Sequence, residues 1–223
     1  MRTLESNRML EDNLHLLETA PLPYLLSLPG GEVPEAGAWP VLCFLHGYEE
    51  GPPTGARNGL TRHGPLRADA SAFARSRFII LAPHLPSRGD IWDRHADDVQ
   101  TIVRRVQGLY RGIPQQTYLT GFSFGASGVF DLALRSRDFW AALWAVDPTR
   151  VPPEDPGRPV WLSSGEISRH SGSAFVQRLG LRPLDGHTPG ARIYEDQGQD
   201  HVGTATLAYQ NDAIYKWLLT NRL

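Results

Sequence analysis

Apolar residues in this chain follow two rhythms. Pro40–Leu45 and Phe78–Ala82 are unbroken apolar runs, the pattern of strands covered on both faces. Leu22–Leu28, Gln116–Thr120, Trp140–Val146, Pro159–Ser163 and Ala191–Tyr194 read as further strands. Between them the spacing turns helical. Asp90 is placed to cap a helix reaching Tyr110, with Val99, Ile102, Val103, Val106 and Tyr110 on one face and Gly112 and Pro114 to stop it. Arg67–Arg75, Ala126–Leu134, Ser173–Leu179 (ended by Gly180) and Asn211–Asn221 complete the expected helices, the last with Ile214, Trp217 and Leu218 facing inward. Such alternation predicts an α/β fold class: a mostly parallel central sheet with helices on both faces. Ligands of such sheets sit beyond the carboxyl ends of the strands.

Length and composition narrow this picture. With 223 residues, the chain suits a single α/β domain spanning 1–223, with 1–20 as an N-terminal extension. The Pro/Gly-rich stretches Pro29–Pro40, Gly51–Gly64 and Pro148–Arg158 are short enough to be loops inside that domain. Net charge is −2, which supplies no long-range field to draw nucleic acid or an acidic membrane. No apolar run approaches the roughly 18 residues of a membrane span, and Met1–Asn13 lacks the apolar core of a secretion signal. Cys43 is the sole cysteine, so no intrachain disulfide forms; a reducing, cytoplasmic setting is expected.

Candidate chemistry falls where the fold class places it. Gly121-Phe122-Ser123-Phe124-Gly125 follows one strand and precedes a helix, the context a G-x-S-x-G nucleophile elbow requires. A serine hydroxyl is a weak nucleophile until a base takes its proton. Hydrolases built on this elbow run Ser…acid…His along the chain, so the base belongs after the last strand, where His201 stands. His170 and His187 precede that strand and are weaker candidates, while His46 and His84 precede the serine and suit packing or lining roles. An oxyanion needs two donors. The amide of Phe124 supplies one; the loop His46-Gly47-Tyr48 after the Pro40–Leu45 strand supplies the other through Tyr48, with Gly47 permitting close backbone approach.

Together with Pro23-Tyr24, the run Pro40 to Gly47, Leu81-Ala-Pro83, Trp92, Tyr118 to Gly125, Pro159 to Gly165 and Tyr215 to Leu219, these residues resemble the α/β-hydrolase esterases of the polyhydroxybutyrate-depolymerase and predicted-peptidase type, a group similar to the phospholipase/carboxylesterase family. The resemblance runs from about Pro23 to the C-terminus and implies an α/β-hydrolase fold without a large cap, consistent with the short Pro148–Arg158 loop. It departs at the acid. The family places an aspartate three residues after the glycine that ends the penultimate strand; here that glycine is Gly165 and the third residue on is Ser168. Asp147, ending the Trp140–Val146 strand, is one candidate for the acid, since pancreatic-type lipases carry theirs there in a similar Asp-Pro context. Glu166 and Asp200 are the alternatives, and the absence of any working acid stays open.

Hydrolysis of a short-chain or aryl acyl ester through an acyl-enzyme on Ser123 is therefore expected, with a small-molecule ester as partner and with Gly47, Tyr48, Trp92, Phe122 and Phe124 around the substrate. A pseudo-hydrolase scaffold binding a ligand or protein is the alternative from another class, motivated by Ser168; acyl transfer would use the same residues. The chain has no H-E-x-x-H pair, thiolate cluster or G-x-G-x-x-G phosphate loop, so neither metal nor nucleotide cofactor is expected.

Overall fold

A computed structural model describes residues 13–31, 37–185 and 190–223. His187 and residues 1–12 of the expected N-terminal extension lie outside the described residues. The strands are β1 (Leu14–Leu17), β2 (Tyr24–Ser27), β3 (Trp39–Leu45), β4 (Ile79–Pro83), β5 (Gly112–Phe122), β6 (Ala142–Val146), β7 (Val160–Ser164), β8 (Arg182–Pro183) and β9 (Arg192–Asp196). They form one sheet in the order β1-β2-β4-β3-β5-β6-β7-β9-β8. β1 and β2 pair antiparallel and β2 runs antiparallel to β4, whereas every pairing from β4 to β8 is parallel.

The alternation along β3 shows how the sheet separates two cores. Val41, Cys43 and Leu45 join the core that contains Val99, Val103, Val129 and Phe130. Leu42 and Phe44 join the opposite one, with Leu60, Tyr209, Tyr215 and Leu218. On the first side lie the helices α3 (Ala96–Tyr110), α4 (Phe124–Arg135) and α6 (Gly172–Leu179); on the second lie α1 (Ala56–Leu60), α2 (Ala72–Arg77), α7 (His201–Gln210) and α8 (Asp212–Leu219). A one-turn helix, α5 (Glu166–Arg169), follows β7. Among the described residues no helix is long and apolar enough to cross a membrane.

Several boundaries differ from the sequence expectation, each for a local reason. Asp90 does not cap α3. It binds the Ile91 amide and His95, a 3₁₀ turn follows over Trp92–His95, and α3 begins at Ala96. Gly112 and Pro114 do not end that helix. Arg111 ends it in the left-handed conformation, and both residues belong to β5. The register slips between Trp39↔Gly112 and Val41↔Thr117, so Pro114 lies in a bulge where its missing N–H costs no ladder bond. The helix expected over Arg67–Arg75 starts at Ala72, because the Ser71 side chain caps it by accepting from the Ala74 amide. Leu14–Leu17, placed in the extension, forms the sheet-edge strand β1, a short half-exposed segment whose signal comes from pairing with β2 rather than from its own pattern.

Candidate active site

The turn from β5 into α4 presents Ser123. Its backbone holds φ 57° and ψ −119°, a left-handed setting that non-glycine residues rarely adopt. The Ser123 amide donates to the Val146 carbonyl at 2.9 Å, which ties the elbow to the neighbouring strand. The flanking glycines are steric requirements. A Cβ at Gly121 would lie 2.4 Å from the Gly125 carbonyl oxygen, and one at Gly125 would lie 2.0 Å from that of Leu45. Gly125→Ala therefore meets backbone that cannot swing away, and about 3 kcal/mol or more of stability is expected to go. Gly55, with nothing within 4 Å of its Cβ position, is the control. Urea denaturation of both alanine variants checks the contrast.

His201 does not sit in a loop: it is the first residue of α7, whose N-cap is Asp200. Asp200 accepts from the Gly203 amide at 2.7 Å, so its carboxylate serves the helix end rather than the neighbouring imidazole. The residues of α7 show no apolar stripe, which hid this helix in the sequence. From this position His201 Nε2 lies 2.8 Å from Ser123 Oγ, and His201 Nδ1 lies 2.6 Å from Asp147 Oδ2. An ionised carboxylate only accepts, so the Nδ1 proton points at Asp147 and the lone pair of Nε2 faces the serine hydroxyl.

Asp147 ends β6 with φ 47° and is fully buried. Its Oδ1 accepts from the Gly165 amide at 2.9 Å, the Ser168 amide at 2.8 Å and the Ser168 hydroxyl at 2.8 Å. Burial pushes its carboxyl up, but the hydrogen bonds from His201, Ser168 and Gly165 outweigh that and hold it below the ordinary aspartate range. Gly165 is needed here: a Cβ would lie 2.2 Å from Thr204 Oγ1 and 2.9 Å from Asp147 Oδ2. Ser168, at the position where the resemblance leads one to expect the acid, instead donates to a carboxylate that comes from the adjacent strand. Glu166, the alternative acid, is exposed at the start of α5 and makes no hydrogen bond to His201.

Tyr48 and Phe124 each open a helical turn, at a position whose N–H has no partner within the turn. Their rings meet edge to face at 6.1 Å. The loop between them and β3 is pinned from below. Buried His46 donates from Nδ1 to the Gly47 carbonyl at 2.6 Å and accepts the Leu85 amide on Nε2 at 3.2 Å. Trp92 donates its indole N–H to the His46 carbonyl at 3.2 Å. Gly47, Tyr48, Leu85, Arg88 and Phe124 line a small, shallow pocket beside this loop.

Two residues expected around the substrate are placed elsewhere. Trp92 is 1% exposed and packs on Gly128, so it supports the loop from the core. Phe122 is 3% exposed, with its ring 4.5 Å from that of His201 at a 32° tilt; it backs the imidazole. Neither role has a sequence signature, since both need the folded neighbour. His84 donates from Nε2 to the Glu50 carbonyl at 3.2 Å, and His170 is exposed.

Burial lowers the His46 pKa to about 4. The folded state therefore resists a proton that the unfolded chain takes up near pH 6.5. This group's contribution to stability is complete above pH 6.5 and is lost as pH falls toward 4, by about 3 kcal/mol in all. Half-buried His63, also lowered to about 4 with burial as the main cause, acts in the same direction. Urea midpoints should drop between pH 7.5 and 5, and the drop should shrink in His46→Gln. Equal midpoints at both pH values would contradict this assignment.

No family model matches the chain, and no curated protein matches its sequence. Solved structures do. A thermostable esterase superposes with a TM-score of 0.72 at 19% identity over 96% of this chain, which spans 64% of that chain's length. The S-formylglutathione hydrolase of Staphylococcus aureus superposes at 0.65 with 11% identity, covering 92% of this chain and 97% of that one. The feruloyl esterase module of Clostridium thermocellum, solved with sinapinate, superposes at 0.61 with 11% identity over 88% of this chain and 84% of that one. At these identities the likeness establishes a shared architecture, the α/β-hydrolase fold.

Proposed function

From the α/β-hydrolase fold as premise, we propose that this chain is a serine hydrolase of carboxylic esters, working through an acyl-enzyme on Ser123. The observation that carries the reading is the continuous hydrogen-bonded line from Asp147 through His201 to Ser123, with steps of 2.6 and 2.8 Å. In the proposed reaction Ser123 Oγ attacks the ester carbonyl carbon while its proton passes to His201 Nε2. The carbonyl oxygen becomes an oxyanion facing the amides of Tyr48 and Phe124. Collapse breaks the bond to the alcohol, which leaves with the proton from His201. Water then attacks the acyl-enzyme, gives a proton to His201, and the proton returns to Ser123 as the acid departs. Asp147 holds the Nδ1–H tautomer and stabilises the imidazolium formed in each half.

A short-chain or aryl acyl ester suits the shallow pocket, its exposed Tyr48 and half-buried Phe124, and the thirteen-residue connection between β6 and β7 that carries no cap. The structurally similar feruloyl esterase module, solved with sinapinate, favours the aryl option. A non-catalytic scaffold rests on Ser168 standing in place of an acid, and Asp147 at 2.6 Å from His201 supports the esterase reading instead. The test is steady-state hydrolysis of 4-nitrophenyl acetate, butyrate and octanoate and of methyl ferulate. Turnover of acetate, butyrate or ferulate above octanoate is expected. A correctly folded protein that cleaves none of them overturns the reading.

A further inference from the structure

The proposed chemistry gives no role to Glu50, although it sits at the cleft. Glu50 is 3% exposed, and a buried carboxyl must be hydrogen-bonded or held neutral. Its placement is specific. A Cβ built on Gly47 would lie 2.4 Å from Glu50 Oε2, 3.4 Å from Ser123 Cβ and 3.5 Å from the Phe122 carbonyl oxygen. The carboxyl oxygen thus occupies the space that a side chain at 47 would take, next to the nucleophile. The backbone carbonyl of Glu50 is fixed as well, by the 3.2 Å bond from His84 and by close packing of Gly59. On the far side Glu50 Oε1 lies 3.7 Å from His63 Nε2. The His63 ring packs on Phe122 at 5.3 Å, and Phe122 packs on His201 at 4.5 Å. His63 Nδ1 is buried with no partner among the described residues.

We propose that Glu50 is a positioning residue of the oxyanion loop: its buried carboxyl, seated beside Gly47 and Ser123, holds the Gly47–Tyr48 turn so that the Tyr48 amide faces the cleft. The inference rests on the esterase reading of the same site. By filling the space beside Gly47, Glu50 fixes the turn from below and leaves the Tyr48 amide for the oxyanion. Burial pushes the Glu50 carboxyl toward its neutral form against the pull of Arg62, with Glu49 pushing the same way as burial. A negative charge beside Ser123 would oppose the charge developing on the substrate oxygen, and burial disfavours that charge here. Through His63 and Phe122 the same carboxyl is packed to the general base, so one brace serves both sides of the cleft.

Glu50→Asp withdraws the carboxyl from Gly47 by one methylene, whereas Glu50→Gln keeps its length and an acceptor oxygen without charge. On 4-nitrophenyl acetate, E50D is expected to lose about 10–100-fold in kcat with KM within about twofold, and to bind phenylboronic acid weaker by a similar factor. E50Q is expected to keep kcat within about fivefold of wild type. Equal losses in both variants, or a loss confined to KM or to the thermal midpoint, would overturn the positioning role. If E50D does not fold, E50Q alone decides: a folded E50Q that has lost more than about a hundredfold in kcat overturns it. A wild type that turns over no ester removes the esterase reading and this role with it. Normal turnover in both wild type and E50D removes only the role of Glu50.

Discussion

Asp147→Asn is expected to lower kcat for a short-chain ester by about 10⁴-fold, the scale of losing the acid that sets the histidine tautomer. An asparagine amide facing Nδ1 presents a donor to a donor, and the imidazole relieves this by moving its proton to Nε2, where it can no longer accept from Ser123. The loss is confined to kcat, since Asp147 is buried beneath His201 and touches no substrate. Some stability goes too, about 1–3 kcal/mol, because the carboxylate also accepts from Gly165 and twice from Ser168. Glu166→Gln, at an exposed carboxylate with no bond to His201, keeps kcat within about twofold. Steady-state kinetics of the two variants side by side read the contrast. A kcat loss in E166Q with D147N near wild type would return the acid to Glu166.

The largest effect is expected of Ser123→Ala, about 10⁶-fold in kcat, with only the background contributed by binding and the oxyanion donors left. The fold should hardly notice. Among the described residues the side-chain hydroxyl bonds only to His201, and the strained backbone at 123 is imposed by Gly121, Gly125 and the Val146 carbonyl, all of which remain. Urea midpoints within about 0.5 kcal/mol of wild type check that the loss is chemical.

Much of this architecture is legible in the sequence. β3 and β4 announce themselves because strands buried on both faces must be apolar throughout, and α3 because one of its faces is not. Ser123 is legible because its turn tolerates only glycine at 121 and 125. His201 follows from chain order, but the helix it begins does not, since α7 is packed by small residues such as Ala205 and Ala208 without an amphipathic pattern. The acid is the least legible element. Which strand end faces His201 depends on sheet order and on how far α5 turns away, so Asp147 and Glu166 were equivalent in type and differed only in place. Ser168, which reads in the sequence as a lost acid, is in the folded chain a donor to Asp147. Trp92 and Phe122 show the complementary error: aromatic residues near a motif suggest pocket walls, yet burial at 1% and 3% makes them supports.

Covalent labelling with a fluorophosphonate, followed by digestion and mass spectrometry to find the labelled residue, tests Ser123 as the nucleophile most directly. The phosphorus takes the place of the ester carbonyl, and attack succeeds only where a serine is activated by its base and the phosphoryl oxygen meets oxyanion donors. One label is expected, on Ser123, lost in Ser123→Ala and strongly slowed in Asp147→Asn. A folded wild type that takes no label, or takes it on another residue, contradicts Ser123 as the nucleophile.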